Sequence, residues 1–269
     1  MKKVEKWPNI DNFLNIDQTK IDFFWKNGFV VIKNVLSPNE VNIYRKEIKK
    51  ISEKRNKNRE KDFGGAFQQA LNIRFDSKGV EKFCLSKRLG KIAADLMKVN
   101  AVRIFHEQSI FKSPGDTKSY WHQDQYFWPL NTNLHIGMWM ALSDMTKDMG
   151  LMRFVKNSHT MGDLVGESIS TKSETHFDDI IKEKNLEIFE IESMNAGDCT
   201  FHFNYTIHGA GLNVSDKVRE AMVVTYYADG SRVGKLDTKD RKGDAEYFLG
   251  GKKEGEVANH PINSVVYKK

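Results

Sequence analysis

Four side chains in this sequence could do metal chemistry together. They are His122 and Asp124 in the triplet His122-Gln123-Asp124, then His208, then Arg219 eleven residues further on. Two imidazoles and one carboxylate make a facial ligand set for Fe(II) that leaves three coordination positions open. An arginine beyond such a set is what a chelating 2-oxo acid needs at its far carboxylate, because a planar guanidinium can hold two oxygens at once. The set points to an oxygenase that uses iron and 2-oxoglutarate.

A His-x-Asp triplet is cheap in a chain with eight histidines, and a second one, His176-Phe177-Asp178, is present. Context separates the two. On a strand, residues i and i+2 face the same side, so His122 and Asp124, in the aromatic stretch Tyr120 to Trp128, would both point into a barrel. His176 and Asp178 fall in a polar stretch, Ser173 to Asp179, that reads as loop or helix start. His208 precedes Gly209-Ala210-Gly211, where backbone can approach a metal or ligand closely. Arg219 follows the turn Asn213 to Lys217 and opens the strand Arg219, Ala221, Val223, Thr225, which would run beside the strand carrying His208. Its competing reading is a surface ion pair with Glu220 or Asp216.

Positioning these groups requires a scaffold, and the sequence predicts one that is helical first and then rich in strands. Thr19 to Trp25 suggests a short helix, and Phe29 to Val35 a buried strand after Gly28. Ser37-Pro38-Asn39-Glu40 is a helix start, with Ser as N-cap, Pro in the first turn and Glu at the third position, and the helix should run to about Lys54. Gln69 to Ile73 shows no readable period. Ser86 to Lys98 has Leu89, Ile92, Ala93 and Leu96 on one face, a second amphipathic helix. Strands are predicted over Val102 to Phe111, with Ile104, His106, Gln108 and Ile110 on one side, and over His135 to Leu142. Cys199 to Phe203 follows the turn Asn195 to Asp198, and Ala221 to Tyr227 closes the series. The tail after Asp229 reads as mostly loop. This is an α+β chain with a double-stranded β-helix, or jelly roll, as core and with N-terminal and flanking helices. No repeat or linker divides it, so residues 1–269 are expected to form one domain.

Composition narrows the function classes. The formal charge of +6 comes from 42 Lys and Arg against 36 Asp and Glu. The mixed stretch Arg45 to Arg55 is a solvated helix face rather than a nucleic-acid stripe. Cys84 and Cys199 lie far apart and give neither a disulfide framework nor a zinc spacing, which suits a reducing compartment. Met1 to Leu14 has Lys2 and Lys3 but no apolar core of a signal peptide, and no apolar run is long enough to span a bilayer. A cytoplasmic protein is expected, monomer or homodimer, with no nucleic-acid or membrane partner.

Beyond these single features, the chain resembles the phytanoyl-CoA dioxygenase (PhyH) family. The matching stretches are Phe24 to Val41, Trp121 to Leu130, Trp139 to His159, Asn195 to Phe201 and His208 to Tyr227, in family order across residues 15–230. The resemblance implies that His122, Asp124 and His208 bind iron and that Arg219 holds the distal carboxylate of 2-oxoglutarate. Trp139 and Gln108 stand where the family places cosubstrate contacts, and O2 is the second cosubstrate. His106 occupies a position that some members fill with an active-site histidine; a hydrogen-bonded core histidine is the competing reading. His202 is read as structural. Ala210 stands where many relatives have Ser, and Lys156-Asn157-Ser158-His159 replaces the commoner Pro-Gly-Ser-His. Halogenating relatives replace the carboxylate of Asp124 with Ala or Gly, so hydroxylation rather than halogenation is implied.

The substrate is expected to be a small, polar molecule hydroxylated at an aliphatic C–H, with release of succinate and CO2. Tyr126 and Trp128, with His106, are candidate substrate contacts. The segments Asp62 to Asn72 and Gly162 to Lys184 are read as lid and mouth, with Gln68, Gln69, Asn72, Glu167, Ser170, Lys172 and Glu174 as polar lining. Two alternatives stay open: an acyl-CoA 2-hydroxylase, with surface Lys on the phosphates, and a catalytically silent small-molecule binder of the same fold.

Overall fold

Helix signals near the N-terminus are strong, and the chain follows them. In the computed structural model, which describes residues 7–57, 60–62, 65–164 and 168–269, helix α1 (Gln18–Asn27) begins where the Asp17 carboxylate accepts from the Lys20 amide and ends at Gly28, φ +86°. A Cβ at Gly28 would lie 2.6 Å from His159 Nδ1, so both φ and space require glycine there. After β1 (Phe29–Ile32), shorter than the expected run to Val35, comes α2 (Pro38–Asn56). Ser37 and Glu40 form the expected reciprocal capping box: the Ser37 amide donates to Glu40 at 2.7 Å, and the Glu40 amide donates to Ser37 Oγ. The stretch without readable period holds β2 (Gln68–Leu71) and a 3-10 turn at Ile73–Phe75. Helices α3 (Lys78–Cys84) and α4 (Lys87–Met97) follow, α4 capped by Ser86.

The strand-rich half contains β3 (Ala101–Lys112), β4 (Ser119–His122), β5 (His135–Ala141), β6 (Met145–Thr146) and β7 (Met152–Val155). Helix α5 (Thr171–Glu183) comes next, then β8 (Ile188–Glu190), β9 (Ser193–Met194), β10 (Cys199–Phe203), β11 (His208–Ala210) and β12 (Arg219–Ala228). The tail is not mostly loop. It forms α6 (Lys239–Leu249) and β13 (Val265–Lys268), which adds an edge strand to β3. Sequence periodicity missed α6 because only Ala245, Phe248 and Leu249 are buried on it and Gly243 interrupts its middle. Its termini do carry signals: Thr238 accepts from the Arg241 amide, and Gly250 closes the helix at φ +63°.

Two antiparallel sheets face each other in a jelly-roll core. The larger runs β1-β10-β5-β12-β3-β13, with β2 also paired to β3; the smaller runs β4-β11-β7-β8, and β6 pairs with β9. Apolar side chains of α1–α4, including Phe24, Tyr44, Ile48, Leu89 and Ile92, pack on the outer face of the larger sheet with Ile104, Met138 and Met222. Between the sheets lie Phe29, Trp139, Ala221 and Val223 from one and Met152, Phe154 and Ala210 from the other. Phe29 and Phe154 stack at 4.5 Å between centroids. Asn157 takes φ +62° on the loop after β7, a left-handed conformation that Asn tolerates.

Two departures from strand alternation matter for the site. β3 is bulged: Val224 pairs with Glu107 but Tyr226 pairs with Ile104, so Phe105 and His106 together face the single residue Thr225. The Thr225 hydroxyl bridges the bulge, accepting from the His106 amide at 3.2 Å and donating to the His106 carbonyl at 3.1 Å. His106, Gln108 and Ile110 therefore face inward, whereas Ile104, expected on the same side, belongs to the outer core. The second departure is at the metal triplet: β4 ends at His122, and Asp124 starts a 3-10 turn, Asp124–Tyr126.

Candidate metal centre and its cavity

Gln123 keeps an extended backbone (φ −114°, ψ 131°) between His122 and Asp124, so the two ligands still face one side although the strand has ended. The Gln123 side chain points the other way, donating to the Gly162 and Tyr205 carbonyls and accepting from the Leu164 amide. Across the ladder, His208 pairs with His122. Ligand atoms of His122, Asp124 and His208 all lie within 4.8 Å of one another. Asp124 Oδ1 is 3.7 Å from Nε2 of His122 and 3.7 Å from Nε2 of His208.

Each histidine is held in one tautomer. His122 Nδ1 lies 2.8 Å from the Tyr120 carbonyl and His208 Nδ1 2.9 Å from the Thr206 carbonyl. A carbonyl only accepts, so each Nδ1 carries the proton and each Nε2 offers a lone pair. Burial pushes the pKa of both rings down, that of His208 well below its ordinary value, so they stay neutral. Burial opposes ionisation of Asp124 too, but His208, His202 and His122 around it hold its carboxyl below the usual carboxylate range. Neutral imidazoles and an ionised carboxylate are the donor states a divalent metal requires.

His202, read as structural, turns out to belong to the site. Its Nε2 donates to Asp124 Oδ2 at 3.1 Å, which leaves Oδ1 directed at the two histidines. Gly137 makes the room: a Cβ there would stand 2.9 Å from the His202 ring and 3.7 Å from Asp124 Oδ2.

Arg219 lies not beside the strand of His208 but on the facing sheet, where β12 runs between β3 and β5. It is 1 % exposed, its guanidinium sits 5.3 Å from the Trp139 ring centroid, and one fork nitrogen donates to the Gly150 carbonyl at 2.5 Å. Its Nε is buried and has no partner among the described residues. Burial pushes its pKa down to about 10, so it is still a cation at neutral pH. The surface ion pair is not what forms: Glu220 points to the other face and pairs with Arg45 and Lys49 of α2. Lys112, opposite Arg219 in the register, spends its ammonium on the Thr117 and Gly211 carbonyls.

One cavity of about 200 Å³ joins these groups. At roughly 10–15 Å³ per water it has room for a small cosubstrate and a small reacting segment. His122, Asp124, His208, His202, Arg219, Gln108, Trp139, His106 and Trp128 all line it. Tyr126 does not; Phe127 lines it instead, because the 3-10 turn breaks the alternation that would have pointed Tyr126 inward. Of the expected lid and mouth, Phe67, Gln69, Leu71 and Ile169 contribute. Residues 165–167, including Glu167, lie outside those described. Residues 171–183 are helix α5, on which Glu174 serves the scaffold by accepting from the Trp121 amide and pairing with Lys118 and Arg153. The second triplet sits on this helix too, with His176 against the Leu164 carbonyl and Asp178 accepting from Trp121 Nε1. Asp244 and Phe248 of α6 complete the cavity wall.

Comparison with known proteins gives the family and the fold. The model of the family "Phytanoyl-CoA dioxygenase (PhyH)" matches residues 24–221. The peroxisomal phytanoyl-CoA dioxygenase of Rattus norvegicus is 27% identical over 240 residues, 80% of this chain and 69% of that protein. Phytanoyl-CoA dioxygenase 1 of Oryza sativa subsp. japonica is 27% identical over 175 residues, 61% of this chain and 62% of that protein, so the match spans under two thirds of the rice protein. The crystal structure of the epimerase SnoN in complex with Fe3+, alpha ketoglutarate and nogalamycin RO superposes with a TM-score of 0.79 at 20% identity, covering 93% of this chain and 98% of that one. At that identity the likeness is one of fold.

Proposed function

The chain belongs to the phytanoyl-CoA dioxygenase family of iron- and 2-oxoglutarate-dependent dioxygenases, and from that premise we propose that it hydroxylates an aliphatic C–H of a small, polar molecule. His122, Asp124 and His208 hold Fe(II), and Arg219, with Gln108 and Trp139, holds 2-oxoglutarate. The observation that carries this reading is one cavity containing both the His-Asp-His set and a buried arginine with an unpartnered Nε. Leaving such a donor unpaired costs on the order of 1–3 kcal/mol, and the guanidinium, which has no ion pair among the described residues, would gain its counter-anion from a bound carboxylate. Iron, 2-oxoglutarate and O2 together supply the oxidation, in which R–H, oxo acid and O2 become R–OH, succinate and CO2.

The chain's own groups position the reactants. The Tyr120 and Thr206 carbonyls fix the two imidazoles, and His202 fixes the carboxylate. Arg219 pairs with the far carboxylate of the oxo acid, and Trp139 closes one side of it. The family's hydroxyl missing at Ala210 has a substitute in Ser119, its partner across the ladder, which also lines the cavity. His106, its pKa pushed down to about 3 by burial, stands in the wall as a neutral ring whose buried Nδ1 has no hydrogen-bond partner among the described residues.

The whole chain acts in this reading as one domain, in the cytoplasm, as monomer or homodimer. Buried free thiols at Cys84 and Cys199 support a reducing compartment, and among the described residues no helix is long and apolar enough to cross a membrane. The relatives' names favour a second reading, an acyl-CoA 2-hydroxylase, in which only the acyl segment enters the cavity. A screen of small polar molecules and acyl-CoA esters, read by succinate formation and by product mass in labelled O2 and chloride buffer, decides. A product heavier by one labelled oxygen from a small polar substrate is expected. Turnover of acyl-CoA esters alone, or a chlorinated product, would overturn the proposal.

A further inference from the structure

Arg241, Asp244 and Phe248 recur at helical spacing and lie on one face of α6. Arg241 fastens this face over the metal turn, donating to the Gln125 and Tyr126 carbonyls at 3.1 and 3.2 Å and pairing with Asp163 at 3.2 Å. Phe248 lies against His106, ring centroids 4.6 Å apart. Between them Asp244 faces the cavity, beside a wall that includes Phe127 and Trp128.

Charge balance makes Asp244 the odd group. Two carboxylates, Asp124 and Asp244, and one permanent cation, Arg219, are among the described residues lining the cavity. Asp124 serves the metal and Arg219 the oxo acid. Asp244 has no hydrogen bond or ion pair with the protein's described residues; its neighbour Arg241 is engaged with Asp163 and Asp237. Aromatic rings such as Phe127, Trp128 and Phe248, which line the same cavity, attract cations and repel anions at their faces. We propose that Asp244 is a substrate-recognition residue that receives a protonated amine of the substrate, whose carbon skeleton rests on Phe248, Phe127 and Trp128. Burial, and secondarily Asp240, push its pKa up to about 7 in the free protein, the behaviour of a carboxylate whose cation is missing.

This deepens the oxygenase reading and rests on it for calling the ligand a substrate. The test needs no turnover. The full chain, loaded with Zn(II) and 2-oxoglutarate, is titrated by calorimetry with benzylammonium and with benzyl alcohol, a matched pair differing in charge. The parent protein should prefer the ammonium by at least about tenfold, the worth of one charge-assisted pair. Asp244→Asn and Asp244→Ala should bring the ratio near one while the 2-oxoglutarate constant holds. A parent that shows no preference, or variants that retain it, would overturn the proposal. Should the parent fail to bind metal or 2-oxoglutarate yet keep an Asp244-dependent preference, the oxygenase reading falls and this site stands.

Discussion

At the scale of single residues, the site depends on which polar atoms are already satisfied. Arg219 lines the cavity, uses one fork nitrogen on Gly150 and has a buried Nε with no partner among the described residues, whereas Lys112, directly opposite in the register, donates from Nζ to two carbonyls. Arg219→Lys should therefore weaken 2-oxoglutarate binding about tenfold or more, since a charge-assisted hydrogen bond worth roughly 1.5–3 kcal/mol is lost while the charge remains. Iron binding should persist, and both constants follow from one anaerobic titration. An unchanged 2-oxoglutarate constant would transfer the distal carboxylate to another cation. The ligand triplet was legible in the sequence because its spacing suits an extended backbone, which Gln123 supplies. His202 was not legible, since its role depends on a contact 78 positions away in the chain and on the space above Gly137.

At the scale of elements, helix α2 is tied to the strand that carries Arg219. Glu220 faces α2 and accepts from Arg45 at 2.5 Å and Lys49 at 2.8 Å. Burial works against its charge, but these two cations hold its pKa below the ordinary 4.5. A carboxyl with a depressed folded pKa stabilises fully above its unfolded pKa and stops doing so as pH falls through the folded value. Glu220→Gln should accordingly cost about 1–2 kcal/mol at pH 7, a modest figure because Arg45 and Lys49 stand partly in solvent. Denaturant curves should show that gap narrowing as pH falls below the ordinary 4.5 and through the lowered folded value; a gap that stays constant with pH would mean that packing, not charge, joins α2 to β12. Sequence signals located α1, α2 and α4 well because caps and apolar stripes coincide there. They failed at the β3 bulge, where pairing with β12 rather than local pattern sends Ile104 to the outer face while His106 stays inward, and at α6, whose few buried side chains make no stripe.

At the scale of the whole molecule, the jelly roll brings two half-sites together. The smaller sheet and the turn after it carry His122, His208 and Asp124; the larger carries Gln108, Trp139 and Arg219. On the proposed reading neither half would bind a chelated oxo acid alone, so metal and cosubstrate should assemble only in the folded chain. The direct test is anaerobic addition of Fe(II) and 2-oxoglutarate to protein freed of tighter-binding metals such as Zn(II). The parent protein and His176→Ala should develop the visible metal-to-ligand band of a chelated oxo acid, while folded His122→Ala and His208→Ala should not. A folded parent protein that gives no band, or a band that survives in His122→Ala and vanishes in His176→Ala, would contradict the account.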